Sequence, residues 1–170
     1  MQNSIERKQW YIERQTKMII RHTKPEDIPA LSTVLDNTEL FPSDMLPDMI
    51  GSFLSDEQKS DLWLTCILDG IAIGFCYAVP EQLTEGTWNM LAIAVLPNKQ
   101  GTGAGSAIVK ELEANLQKSG NRVLIADTSG VDEFKQTREF YRKNGYTEEA
   151  RIRDFWNEGD DKIIFRKSLK

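Results

Sequence analysis

The chain has 170 residues, 40% of them hydrophobic, with a formal charge of −5 and a pI near 5.0. That length and apolar content suit one domain able to bury a core without disulfide or metal staples. An acidic balance with dispersed Lys and Arg excludes a nucleic-acid-binding footprint, and the lack of any run of eighteen apolar residues excludes a membrane-spanning helix. A polar, charged start carries no signal peptide, so the expected location is cytoplasmic.

In chain order, Met1 to Lys17 reads as a charged helix or arm around Ile5, Trp10, Tyr11 and Ile12, separate from a domain over 18–170. Its aromatic pair packs back on the domain or meets a second copy, which leaves a homodimer open. Met18 to His22 is a short strand. Thr23 then serves as N-cap and Glu26 closes a capping box, ahead of an amphipathic helix carrying Ile28, Leu31 and Leu35. A loop through Glu39, Phe41 and Pro42 precedes a second helical face of Met45, Met49, Ile50 and Phe53.

After a polar connector, Leu62–Leu68 and Ile71–Val79 form a hairpin about Asp69-Gly70. Counting outward from that turn sets Cys66 opposite Ile73, Cys76 opposite Trp63, and Phe75 opposite Leu64. The two cysteines are therefore buried reduced thiols rather than a cross-strand pair. With His22 the lone histidine, no metal-ligand cluster of usual spacing can be built, and no metal is expected. Both faces of this hairpin are apolar, which calls for helices on both sides of a central sheet.

Thr87 to Leu96 is the next strand. It breaks at Pro97, and three alternating glycines lead into a helix from Gly103 to Ser119. A helix start has four N–H groups without intrahelical partners and a partial positive charge, and glycines leave those groups uncovered. The corner Gln100-Gly101-Thr102-Gly103-Ala104-Gly105, followed by Ser106, thus has the character of a phosphate cradle. A kinase-type phosphate loop would need a following Lys and Ser or Thr, which are absent. A dinucleotide fingerprint would need a glycine where Ser106 stands.

A buried strand, Val123 to Ala126, follows and ends at Asp127. Strand, glycine turn, helix and strand make a right-handed βαβ unit whose ligands collect at the carboxyl ends of the strands. Asp127 accepts a proton there, directly or through water, or it caps the next helix or anchors a turn with Thr128 and Ser129. The last helix, Asp132 to Asn144, ends at Asn144-Gly145 with Tyr141 in its final turn. Composition alone makes Tyr141 a core aromatic. Two closing strands flank a turn at Asn157 to Asp160.

The string Q/R-x-x-G-x-G/A at Gln100 to Gly105, after a strand ending Val95-x-Pro97, together with Phe140-Tyr141-x-x-x-Gly145-Tyr146, resembles the GNAT acyltransferase superfamily over about residues 18–167. The resemblance implies a mixed α+β fold whose mostly antiparallel sheet is splayed at the cofactor site and flanked by helices on both faces. It implies an N-acetyltransferase that moves an acetyl group from acetyl-CoA (coenzyme A) to a primary amine on a small molecule or peptide, by direct attack on the thioester. The corner residues Gln100 to Ser106 would bind the pyrophosphate, and the main chain of Ile93, Ala94 and Val95 the pantetheine arm. Tyr141 would protonate the departing thiolate, with Asp127 helping to deprotonate the amine. Glu39 and Phe41 become candidates for acceptor contact. The pattern's Asn, seven residues before the Tyr, is Phe134 here. A non-catalytic acyl-CoA-binding module and an NAD-dependent oxidoreductase remain as alternatives.

Overall fold

The computed structural model describes residues 18–55 and 60–170; the proposed N-terminal arm lies outside them. Seven strands form one sheet: β1 (Met18–His22), β2 (Leu62–Leu68), β3 (Ile71–Pro80), β4 (Thr87–Val95), β5 (Val123–Ser129), β6 (Thr147–Asn157) and β7 (Asp160–Ser168). Among the described residues four α-helices accompany it: α1 (Ile28–Thr38), α2 (Leu46–Leu54), α3 (Ala104–Lys118) and α4 (Lys135–Lys143). The strand order is β1-β2-β3-β4-β5-β7-β6, and every pairing is antiparallel except β4 with β5. The expected mixed α+β class and sheet type are observed.

Two cores lie on opposite faces of the sheet. One joins Leu64, Cys66, Ile73, Cys76, Met90, Leu124 and Phe165 to Ile108 and Leu112 of α3 and Tyr141 of α4. The other joins Trp63, Phe75, Ala92 and Ala94 to Leu31 and Leu35 of α1 and Ile50 of α2. The second core draws on no residue of β5, β6 or β7, so that part of this face is not packed under α1 and α2. Apolar residues on both faces of β2 and β3 thus find the two helical layers that their pattern requires.

The hairpin register differs from the one counted out from the turn. Asp69 and Gly70 adopt positive φ of 51° and 84°, as a tight hairpin turn demands, and Leu68 faces Ile71 with Ile67 facing Ala72. The register then slips by one, so that Cys66 faces Gly74, Leu64 faces Cys76 and Trp63 faces Tyr77. The extra residue is a β-bulge, which reverses the alternation of side chains beyond it. Phe75 therefore turns to the α1 and α2 face and stacks on Trp63 at 5.9 Å. Both cysteines are free and buried, and burial pushes the Cys66 thiol up to about 11 and the Cys76 thiol up to about 12.

The cap before α1 also lies one residue later than the spacing suggests. Thr23 Oγ1 is spent on Thr65 Oγ1 at 2.8 Å, and the Lys24 N–H donates to Asp27 Oδ2 at 2.9 Å. Asp27 also accepts from Arg21 Nη1 and Nη2 at 2.7 and 2.9 Å. Burial opposes its charge, but these donors outweigh burial and hold the carboxyl below its ordinary range.

A second bulge sits in β4. Tyr77 faces Ala92 while Ala78 faces Met90, which leaves Leu91 unpaired and 52% exposed. Before it Trp88 and Met90 face α3; after it Ile93 and Val95 do. Pairing of β4 with β5 ends at Met90 with Ala126, although β4 runs on to Val95 and β5 to Ser129. The two strands part here in a fork, with β3 still attached to β4. Gly74 permits that attachment: a Cβ on it would stand 2.6 Å from the Ala94 carbonyl oxygen.

Gly74→Ala is expected to destabilise the protein by about 1–3 kcal/mol in urea unfolding, since backbone must move to admit one methyl. Gly51→Ala, in helix α2 with open space around the new Cβ, should instead stabilise by about 0.5–1 kcal/mol. Stability contributed by Asp27 should be present above the ordinary carboxylate range and fade as pH falls through its lowered pKa. Asp27→Asn should abolish that acid limb.

Candidate active site

The backbone of β4 changes character at the fork. The Leu96 N–H donates to the Ile73 carbonyl at 2.8 Å, so the alternation of an antiparallel ladder turns the peptide groups of Ala94 toward β3 and those of Ile93 and Val95 away from it. On that side β5 has departed. The Val95 carbonyl accepts from Gln100 Nε2 at 3.2 Å. The remaining Ile93 and Val95 groups face the gap as a half-made sheet edge.

The glycine corner follows directly. Pro97–Lys99 form one 3-10 turn, Gly101 and Gly103 take φ of 76° and 89°, and helix α3 begins at Ala104. Ala107 N–H to Gly103 carbonyl, at 2.9 Å, is the first helical bond, so the N–H groups of Ala104, Gly105 and Ser106 have no acceptor within the helix. The three glycines serve two different needs. At Gly101 and Gly103 a Cβ would meet open space, and it is the positive φ that favours glycine. At Gly105 a Cβ would stand 3.1 Å from Phe140 Cε2, so this glycine lets α4 approach α3.

A cleft of about 490 Å³ opens between β4, the corner and α4. Ile93, Ala94, Val95, Gln100, Gly101, Gly103, Gly105 and Ser106 line it, which gathers every predicted cofactor residue except two. Thr102 instead donates its hydroxyl to the Lys99 carbonyl at 2.7 Å, and the Ala104 side chain is buried in the α3 core. The opposite wall is Gln136, Thr137 and Phe140 of α4; the sequence motif named Phe140 only as the neighbour of Tyr141, and Gln136 and Thr137 not at all. Their spacing of three and four residues puts them on one helical face, the available signal. Phe134, at the position where the family pattern has Asn, is 44% exposed and outside the lining.

Tyr141 lies one residue past Phe140 and 3% exposed, packed against Phe140, Tyr146 and Phe165 at ring distances of 5.5, 5.6 and 5.2 Å. Burial, then the charges of Asp127 and Cys76, push its hydroxyl well above the ordinary tyrosine value. It is a core aromatic and a hydroxyl that holds its proton. Asp127 is the first residue of β5 beyond the last β4 pairing, inside a strand rather than at a turn. Its Oδ2 pairs with Lys162 Nζ at 2.6 Å, while Oδ1 is buried with no hydrogen-bond partner among the described residues. The turn role falls to Ser129, whose hydroxyl accepts from the Val131 N–H at 3.2 Å and whose carbonyl accepts from Arg138 at 2.8 Å.

Glu39 and Phe41 stand on the other side of the sheet. Glu39 ends α1 with φ of 52° and is exposed; Phe41 is half-buried, edge-on to Phe75 at 6.3 Å. Neither lines the cleft. Ile125, Asp127 and Ser129 share that side with their β7 partners Arg166, Ile164 and Lys162, because Leu124, Ala126, Ile163 and Phe165 occupy the opposite core. The fork therefore opens to both faces of the sheet. The cleft reaches it from the α4 side, and Asp127 from the side not packed under α1 and α2.

Residues 59–148 match the family model described as an acetyltransferase (GNAT) domain. An uncharacterised N-acetyltransferase of Methanocaldococcus jannaschii is 25% identical over 153 residues, which cover 88% of this chain and 91% of that one. The crystal structure of a protein assigned to the GNAT acetyltransferases, from Desulfovibrio desulfuricans, superposes with a TM-score of 0.84 at 28% identity, covering 91% of this chain and 100% of the other. An aminoglycoside 6'-N-acetyltransferase crystallised with coenzyme A shares the fold, with a TM-score of 0.75 at 17% identity over 89% and 97% of the two chains. With a matching family model over more than half of its length and the forked sheet in place, the chain belongs to the GNAT acetyltransferases and is an acyltransferase.

Proposed function

We propose that the protein transfers an acetyl group from acetyl-CoA to a primary amine that attacks the thioester directly. The observation that carries this reading is the fork: the Ile93 N–H and carbonyl and the Val95 N–H freed toward a cleft that ends at the uncovered N–H groups of α3. The residues present fit coenzyme A, since an extended amide-bearing arm can complete the half-made edge of β4 while a pyrophosphate takes the helix N–H groups. When bound, the thioester supplies the activated acyl group.

Each remaining role falls to the chain itself. N–H groups of Ala104, Gly105 and Ser106 hold the phosphates, and Gln100 keeps the corner in register by capping the Val95 carbonyl. A β4 N–H at the gap donates to the carbonyl oxygen as negative charge gathers on it. Asp127 Oδ1, buried and lacking a donor, accepts the amine proton directly or through a water. The Tyr141 hydroxyl gives its proton to the departing thiolate, and its raised pKa keeps that proton available at alkaline pH.

Tyr141→Phe is expected to leave coenzyme A affinity within about twofold and to lower turnover by about 100-fold, the usual scale of one lost proton transfer. Calorimetry beside a thiol-release assay separates the two quantities, and an unchanged turnover would remove the assignment. In the wild type, the turnover-limiting acid should not titrate near the ordinary tyrosine pKa of about 10. A pH–rate profile falling at that point would contradict the buried donor. Gly103→Val should weaken coenzyme A binding at least tenfold by forcing a β-branched residue to positive φ; titration of coenzyme A against NAD on the wild type tests the cofactor itself.

A further inference from the structure

We propose that the acceptor is a monocationic amine with an aromatic or aliphatic group beside its nitrogen, and that Phe155 and Trp156 select it. This rests on acetyl transfer at the fork and names the substrate class for that site. The cleft reaches the fork from the α4 side, so an acceptor reaches it from the other face, beside Asp127. Lys162 links that carboxylate to the β6–β7 hairpin. Its ammonium is 2.6 Å from Asp127 Oδ2, 4.6 Å from the centre of the Phe155 ring and 5.8 Å from that of Trp156. Two rings thus stand against the ammonium that holds the group placed to receive the amine proton.

The rings are presented by a built loop. β6 loses register with β7 between Ile152 and Asn157, and Asp154 takes φ of 51°. The Asp154 N–H donates to Asp161 Oδ1 at 3.0 Å, and Asp154 Oδ1 accepts from the Gly159 N–H at 2.8 Å. Phe155 and Trp156 pack edge-to-face at 4.7 Å yet remain 47% and 49% exposed, with Ile152 exposed nearby on the Lys162 register. Such apolar area beside a reactive group is surface for a ligand to cover.

Charge sets the acceptor class. The Asp127 carboxylate is already paired with Lys162, and the ring faces already carry that same ammonium as their cation. Arg166 stands on the same side of β7. Asp160, held by the Ser129 hydroxyl, balances that second cation, so a polycation finds no surplus of carboxylates for its further charges, whereas an amine with one charge and an apolar flank covers the rings and loses little.

The test is thiol release from acetyl-CoA with phenethylamine and hexylamine against spermidine and kanamycin. The expected result is a kcat/KM at least tenfold higher for the apolar amines. Trp156→Ala and Phe155→Ala should raise KM for phenethylamine at least tenfold, with coenzyme A affinity changed less than twofold. Trp156→Phe should restore much of the loss, and Leu83→Ala, an exposed leucine of the β3–β4 loop, should change nothing. Thermal unfolding confirms that each variant folds. A preference for spermidine or kanamycin, or an unaltered KM in both ring variants, overturns this inference and leaves acetyl transfer standing. Coenzyme A binding with no amine-dependent thiol release overturns both together.

Discussion

Between Met90 and Val95, strand β4 loses one neighbour and keeps the other, and most of what is distinctive in this protein depends on that asymmetry. A strand inside a sheet has no backbone group to spare. The Leu91 bulge turns β4 out of line with β5, while Gly74 keeps β3 close enough to hold it. The result is a short edge in the middle of a seven-stranded sheet. Its cost is the ladder bonds that the Ile93 and Val95 backbone groups do not make to β5.

The fork also leaves one gap in the sheet with different side chains on its two faces. Tyr141 belongs to the core beneath α3 and α4, and Asp127 points to the other side, yet each raises the question of a proton at the same gap. Burial keeps the tyrosine protonated, and the Lys162 partner keeps Asp127 fixed with one oxygen still lacking a donor. A continuous sheet would keep these groups apart.

Much of the site was legible because its signals are local. Glycines alternating after a strand and Pro97 mark a corner whose positive φ values favour glycine, and Asn144-Gly145 marks the helix end that places Tyr141. The spacing excluded two other nucleotide loops, and Gln100, Gly101, Gly103, Gly105 and Ser106 of that corner line the cleft together with Ile93, Ala94 and Val95, which the family resemblance named. Less visible were Gln136 and Thr137, since their spacing from Phe140 defines a helical face but not that this face meets a cleft. The hairpin register was misread for a similar reason: apolar residues on both faces of β3 remove the alternation that would have located the extra residue at Ile73.

The sequence by itself determined a mixed α+β sheet covered by helices on both faces, the glycine corner and the final-turn tyrosine, because propensity, patterning and turn chemistry act over a few residues at a time. Only the tertiary structure decided that Gly105 is small to admit Phe140, that Asp127 pairs with Lys162, and that Phe155 and Trp156 flank that pair. The first two join residues thirty-five positions apart, and through Lys162 the second brings the nearby rings of the β6–β7 hairpin to Asp127. Their proximity is set by strand order and by the point where β4 and β5 part, and both are properties of the assembled sheet.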